Sequence, residues 1–131
     1  MIYLDSAALV KLVRLERFSQ ELVNWLNERP GVPLVSSALA EVEVPRAIRK
    51  AAPDALPGVP ATLARLYRLE IDAAVRSAAA ALVDPNLRTL DAIHVATALG
   101  LGTELQAFIS YDQRLLQAAG DLGLAIASPG A

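Results

Sequence analysis

Ile2-Tyr3-Leu4-Asp5-Ser6-Ala7-Ala8-Leu9-Val10-Lys11 reads as a strand, a turn and the opening of a helix. Ile2-Tyr3-Leu4 is a short apolar run without polar alternation, the pattern of a strand buried on both faces. It ends on an acid, and either Asp5 or Ser6 is able to cap a helix expected over residues 7–13. Working outward from this unit, the same alternation recurs. Phe18, Leu22, Trp25 and Leu26 stand at helical spacing and stop before Pro30-Gly31, so a second helix is expected there. Pro33-Leu34-Val35-Ser36 reads as a second strand, and a helix is expected over residues 38–51. Pro53, Pro57 and Pro60 mark a loop. Further helices are expected over 61–68, from the Asp72 cap to 83, and over 90–99, where Gly100 and Gly102 close the last one. Ala107-Phe108-Ile109-Ser110 is a third strand, residues 114–119 are helical, and 124–127 form a final strand. Strands alternating with helices predict an α/β domain, with a mostly parallel sheet of about four to five strands flanked by helices.

Length and composition narrow the class. A chain of 131 residues suits one domain, taken as 1–131, and buries a core without covalent staples. Hydrophobic residues make up 54%, which excludes a disordered chain. The uncharged run over 92–103 includes His94 and is too short to cross a bilayer. The opening Met1-Ile2-Tyr3-Leu4-Asp5 has no basic region and meets an acid at once, unlike a secretory leader. There is no cysteine, so disulfides and thiolate metal sites are excluded, and a cytoplasmic location is the default expectation. Twelve basic residues against 14 acidic ones give a net charge of −2, so any nucleic-acid partner must be held by a local patch, a metal or both. No dinucleotide fingerprint, phosphate-binding glycine loop or Gly-x-Ser-x-Gly elbow is present. An aspartyl phosphatase or a receiver-type domain wants a second acid two residues after Asp5, and that position is Ala7.

In open parallel sheets, ligands bind beyond the carboxyl ends of the strands. Asp5 follows the first strand and Asp112 the third. Each alone is accounted for as a helix cap; two together at one sheet edge point to a site. Four segments in order then carry a resemblance. After Ile2-Tyr3-Leu4-Asp5-Ser6 come Ser37-Ala38-Leu39-Ala40-Glu41-Val42-Glu43-Val44-Pro45-Arg46-Ala47, Leu87-Arg88-Thr89-Leu90-Asp91-Ala92-Ile93-His94-Val95-Ala96-Thr97-Ala98, and Ser110-Tyr111-Asp112-Gln113-Arg114-Leu115. The ordered set resembles the PIN-domain ribonucleases, and in length and wording the VapC-like toxins of type II VapBC toxin–antitoxin systems. The resemblance implies a PIN-like three-layer fold. It also implies a metal-dependent endoribonuclease that cleaves RNA phosphodiesters to a 3′-hydroxyl and a 5′-phosphate. Such a toxin has a VapB-like antitoxin as its partner and forms a homodimer. The alternative is a catalytically inert PIN-like interaction module, against which stands an acid at all four motif positions.

The chemistry makes sense of the acids. Mg²⁺ and Mn²⁺ prefer oxygen donors, and carboxylates packed together repel unless a cation joins them. Such a cation organises a water and offsets charge on the attacked phosphodiester. The candidate ligands are Asp5, Asp91 and Asp112, with Glu43 as a fourth catalytic acid, either ligand or neighbour. Glu41 and Glu43 flank the apolar face of their helix on opposite sides, so periodicity does not choose between them. The family's spacing favours Glu43, while Pro45 removes a helical hydrogen bond close by and leaves its aim open. Ser6 and Ser110 are supporting hydroxyls that either hold a water or carboxylate or serve as turn residues. His94 lies one turn after Asp91, as a metal ligand or, more commonly for a lone histidine on an apolar face, a buried core residue. Arg46, Arg49 and Arg114 are candidate RNA or antitoxin contacts. For the stripe that Arg46 and Arg49 share with Lys50, and for Lys11 with Arg14, a solvated face is an equal reading. Phe18, Leu22 and Trp25 stand at core spacing and read as packing or as part of a groove, while Trp25, Leu63, Leu66 and Tyr67 are also apolar residues of a kind that serves a partner. A basic antitoxin side chain among the acids is expected to compete with the metal.

Overall fold

The computed structural model describes residues 1–131. Its strands are β1 (Ile2–Leu4), β2 (Leu34–Ser37), β3 (Tyr67–Leu69), β4 (Ala107–Ile109) and β5 (Ile126–Ala127), joined in one sheet of order β3-β2-β1-β4-β5. All four pairings are parallel. The helices are α1 (Ser6–Val13), α2 (Ser19–Asn27), α3 (Ala40–Ala51), α4 (Val59–Ala64), α5 (Ala73–Ala81), α6 (Thr89–Leu99) and α7 (Gln113–Asp121). No helix is long and apolar enough to cross a membrane.

The apolar runs dictate three layers. In β1 the side chains alternate between faces: Ile2 and Leu4 pack with Leu9, Leu22, Val44 and Ile48 on one side of the sheet. Tyr3 packs with Val35, Val95, Phe108 and Leu115 on the other. Every residue of β1 and β4 is buried, as expected of central parallel strands covered on both faces. The order places the reversal of winding between β1 and β4. From β1 the chain moves outward through β2 to β3, then returns to β4 on the opposite side of β1. Connections leaving the two strands diverge there and open a crevice at their carboxyl ends.

Three expectations need correction. The helix expected over 61–68 ends at Ala64, and Tyr67–Leu69 is instead a fifth strand paired with Val35–Ser37. It is an edge strand with Tyr67 and Arg68 exposed, so it lacks the buried apolar run that marks the inner strands. The proline segment is not a plain loop: Pro53–Gly58 is a 3₁₀ helix, and Pro60 sits in the first turn of α4, where its missing N–H has no partner to lose. Of the apolar residues read as open to a partner, Leu63 and Leu66 are buried and Trp25 is partly packed against the core, whereas Tyr67 is 63% exposed.

Candidate active site

Both strand-end aspartates cap helices. Asp5 Oδ1 accepts the Ala8 N–H of α1 at 2.9 Å. Asp112 Oδ1 accepts the N–H groups of Arg114 and Leu115 at 3.0 and 3.4 Å. Capping engages one carboxylate oxygen and fixes the rotamer, leaving the other without a cap bond. Structural and chemical roles are therefore compatible in the same residue. Asp91 enters from the first turn of α6 and Glu43 from α3. Asp5, Glu43, Asp91 and Asp112, contributed by four elements, line one cleft of about 160 Å³ together with Ser6, His94 and Arg88.

The deep wall is tightly bonded. Glu43 Oε1 accepts the Ser6 hydroxyl at 2.6 Å and lies 2.8 Å from His94 Nε2. His94 Nδ1 lies 2.7 Å from the Tyr3 hydroxyl. An ionised carboxylate only accepts, so Nε2 carries the hydrogen in the Glu43 bond, and in the neutral ring Nδ1 accepts from Tyr3. Burial pushes Glu43 upward, but the hydrogen bonds from His94 and Ser6 outweigh it and hold its pKa below the ordinary 4.5. Tyr3 is held neutral by burial, as a donor, and stacks on Phe108 with centroids 5.3 Å apart. Asp5 moves the other way. Burial raises its pKa above the ordinary 3.8, against the lowering effect of the Ser110 hydroxyl, the Ala8 N–H and His94, and Asp91 adds repulsion. No buried side-chain N or O lacks a partner.

The outer wall is looser. Asp91 and Asp112 are partly exposed, and Arg88 spans them, with Nε 3.4 Å from Asp91 Oδ2 and Nη2 3.7 Å from Asp112 Oδ2. No three acidic or imidazole groups are gathered closely enough to share one ion in this arrangement.

Glu43 faces the cleft, whereas Glu41 points away into an exposed pair with Arg68 at 3.2 Å. The helix α3 runs through Pro45 unbroken. Its first turn is secured by bonds from Glu41 N–H to Ala38 and from Glu43 N–H to Leu39, upstream of the carbonyl that the proline leaves free. Ser6 touches Glu43, and Ser110 touches Asp5 while accepting the Asp112 N–H at 3.1 Å. Arg46, Arg49 and Arg114 are exposed and do not line the cleft. Lys11 is withdrawn from the surface by Glu16, by the carbonyl of Arg17 at 2.9 Å and by the Tyr111 ring. His94 is buried, as a lone histidine on an apolar face tends to be, but both its nitrogens are spent on Tyr3 and Glu43. Arg88 escaped sequence reading, since nothing but its distance of three residues from Asp91 marks it.

This architecture and this acid cleft define a PIN-type nuclease domain, and the PIN domain family profile matches residues 2–121. The chain is 53% identical to Ribonuclease VapC35 of Mycobacterium tuberculosis, over 99% of its own length and 98% of the relative's. Ribonuclease VapC46 of the same species is 44% identical, over 98% and 97% of the two chains. Among solved structures, VapC20 of M. tuberculosis, described as a toxin cleaving the sarcin–ricin loop, superposes with a TM-score of 0.73 at 14% identity, covering 95% of this chain and 97% of that one. FitAcB from Neisseria gonorrhoeae gives 0.71 at 18% identity, covering 98% of each. The chain belongs to the PIN-domain family and, within it, to the VapC ribonucleases.

Proposed function

We propose that this VapC-type ribonuclease toxin is an endonuclease that works with Mg²⁺ or Mn²⁺ held by Asp5, Asp91 and Asp112. The observation that carries the reading is the convergence of four carboxylates from four elements on one cleft at the sheet's switch point. The donor set is all oxygen and suits a hard divalent ion. Asp5 is a buried acid destabilised in its charged form, which a cation would relieve. When bound, the ion supplies Lewis acidity and offsets charge developing on the phosphodiester. Asp5 and Asp112 present their uncapped oxygens on rotamers locked by helix caps. Glu43, kept ionised by His94 and Ser6, has Oε2 free to orient the water that attacks phosphorus in line. The products are a 3′-hydroxyl and a 5′-phosphate.

In this reading the chain acts in the cytoplasm as the toxin of a pair, restrained by a VapB-like antitoxin whose basic side chain competes for the acids. A homodimer is supported by an apolar hollow of about 360 Å³ between α5 and α6, lined by Ala79, Ala80, Leu82, Leu87 and Ile93, with Val83 91% exposed nearby. Size measurement giving a monomer at high concentration would remove the dimer. The test of the activity is an RNA cleavage assay titrated with Mg²⁺ and Mn²⁺ on wild type beside Asp91→Asn. Metal-dependent cleavage in wild type alone is expected. Wild-type protein that is folded, intact at all four acids and inert at every metal concentration leaves the interaction-module reading in its place.

A further inference from the structure

Arg88 is the one polar side chain of the cleft to which the catalytic reading gives no task. It is the residue before α6, in extended conformation (φ −69°, ψ 157°), so its backbone is fixed at the head of the helix that carries Asp91. Its guanidinium leans on Asp91 and Asp112 at 3.4 and 3.7 Å while its side chain stays 72% exposed. At these distances the pairing is by charge rather than by well-formed hydrogen bonds, and exposed pairs of this kind are weak. Arg88 also borders an adjoining hollow of about 350 Å³ that passes Glu43, Thr89, Leu90 and Asp91. No other arginine or lysine lines either space.

We propose that Arg88 has two positions: the counter-ion of Asp91 and Asp112 in the metal-free cleft, and the clamp on an RNA phosphate once a divalent cation holds those acids. The inference rests on the ribonuclease reading and deepens it. Asp112 spends Oδ1 on capping α7, so Oδ2, which faces Arg88, is the oxygen open to a metal. Guanidinium and divalent ion therefore compete for the same atoms, and the double charge prevails. Displacement does not remove Arg88 from the site, because its backbone is anchored at the rim. There the planar fork of donors matches two phosphate oxygens at once. In an acidic cleft on a chain of net charge −2, this is the one guanidinium placed to hold the substrate's backbone.

The experiment compares wild type, Arg88→Ala and Arg88→Lys in two readouts: Mn²⁺ binding by calorimetry without RNA, and RNA cleavage at saturating Mn²⁺. Arg88→Ala is expected to bind Mn²⁺ about three- to tenfold tighter, since a competing positive charge is gone. Its kcat/KM for cleavage is expected to fall about ten- to a hundredfold, since a charged phosphate contact is lost. Arg88→Lys keeps the wild-type Mn²⁺ affinity and loses less cleavage, because the charge remains and the fork does not. Opposite movement of the two readouts is the signature, which a merely structural residue does not give. Unchanged Mn²⁺ affinity in Arg88→Ala overturns the counter-ion position, and unchanged cleavage overturns the phosphate clamp. If wild type binds Mn²⁺ and cleaves no RNA, the ribonuclease reading fails, while the affinity ratio still decides whether Arg88 and the ion share their oxygens.

Discussion

The two walls of the cleft are built on opposite principles. On the inner wall, Asp5 and Glu43 are held by Ala8, Ser6, Ser110 and His94, and His94 by Tyr3, whose ring is stacked on Phe108. On the outer wall, Asp91 and Asp112 face an exposed arginine through contacts of 3.4 and 3.7 Å. The inner wall is already rigid before any ligand arrives, which lowers the reorganisation needed during reaction. The outer wall is left adjustable, as an entry for cation and substrate requires. The lesson is that four acids of similar type do different work because burial and partners differ.

The largest expected effect comes from removing one acid from each wall. Asp5→Asn and Asp91→Asn should each lower kcat at least about a hundredfold in cleavage assays, if both walls serve one reaction centre. The metal-free variants should then diverge in stability. Asp5 has a raised pKa in the folded chain, so the folded state holds the proton more tightly than the unfolded one. Its protonated form favours folding at low pH, and that stability is lost as pH rises from 3.8 through the folded value. Asparagine keeps the cap and removes the loss. Thermal melts should show Asp5→Asn gaining a few degrees at neutral pH, with no gain below about pH 3.8. Asp91→Asn should melt close to wild type. Equal melting shifts would mean that the walls do not differ as described.

An intermediate effect is expected at His94. Replacement by Phe leaves the Tyr3 hydroxyl and Glu43 without their shared partner, at about 1–3 kcal/mol by chemical denaturation. His94→Gln, able to donate and accept, should recover part of the stability and part of the cleavage. Cleavage unaffected by His94→Phe in a folded protein would detach Glu43 from the chemistry.

The smallest effect belongs outside both walls. Glu41→Gln removes an exposed pair with Arg68 and should change stability by less than about 0.5 kcal/mol, with cleavage kept. Substantial activity loss here would show that the helix presents the wrong glutamate.

Much of this arrangement was legible in residue order, and what escaped has identifiable causes. Continuous apolar runs mark β1 and β4, because strands covered on both faces leave no polar alternation. The edge strand β3 was hidden because Leu63 and Leu66 continue a helical rhythm up to Tyr67, and an exposed edge carries no burial signal. Glu41 and Glu43 were inseparable by period, since residues two apart on a helix diverge around the axis. His94 joins partners 91 and 51 residues away in the chain, which local pattern does not encode. Arg88 acquires its meaning only when α6 and α7 meet.

One consequence follows from where the helices begin. Asp5 stands at the head of α1, Asp112 at that of α7, Asp91 in the first turn of α6, and Glu43 in that of α3. Aligned peptide dipoles leave roughly half a positive charge at each helix start. The acids thus sit in a permanent positive potential supplied by the backbone itself, which no side-chain substitution erases. Such a field offsets part of the repulsion among the carboxylates before a cation is present, and it makes the acidity of the cleft a property that this parallel fold tolerates.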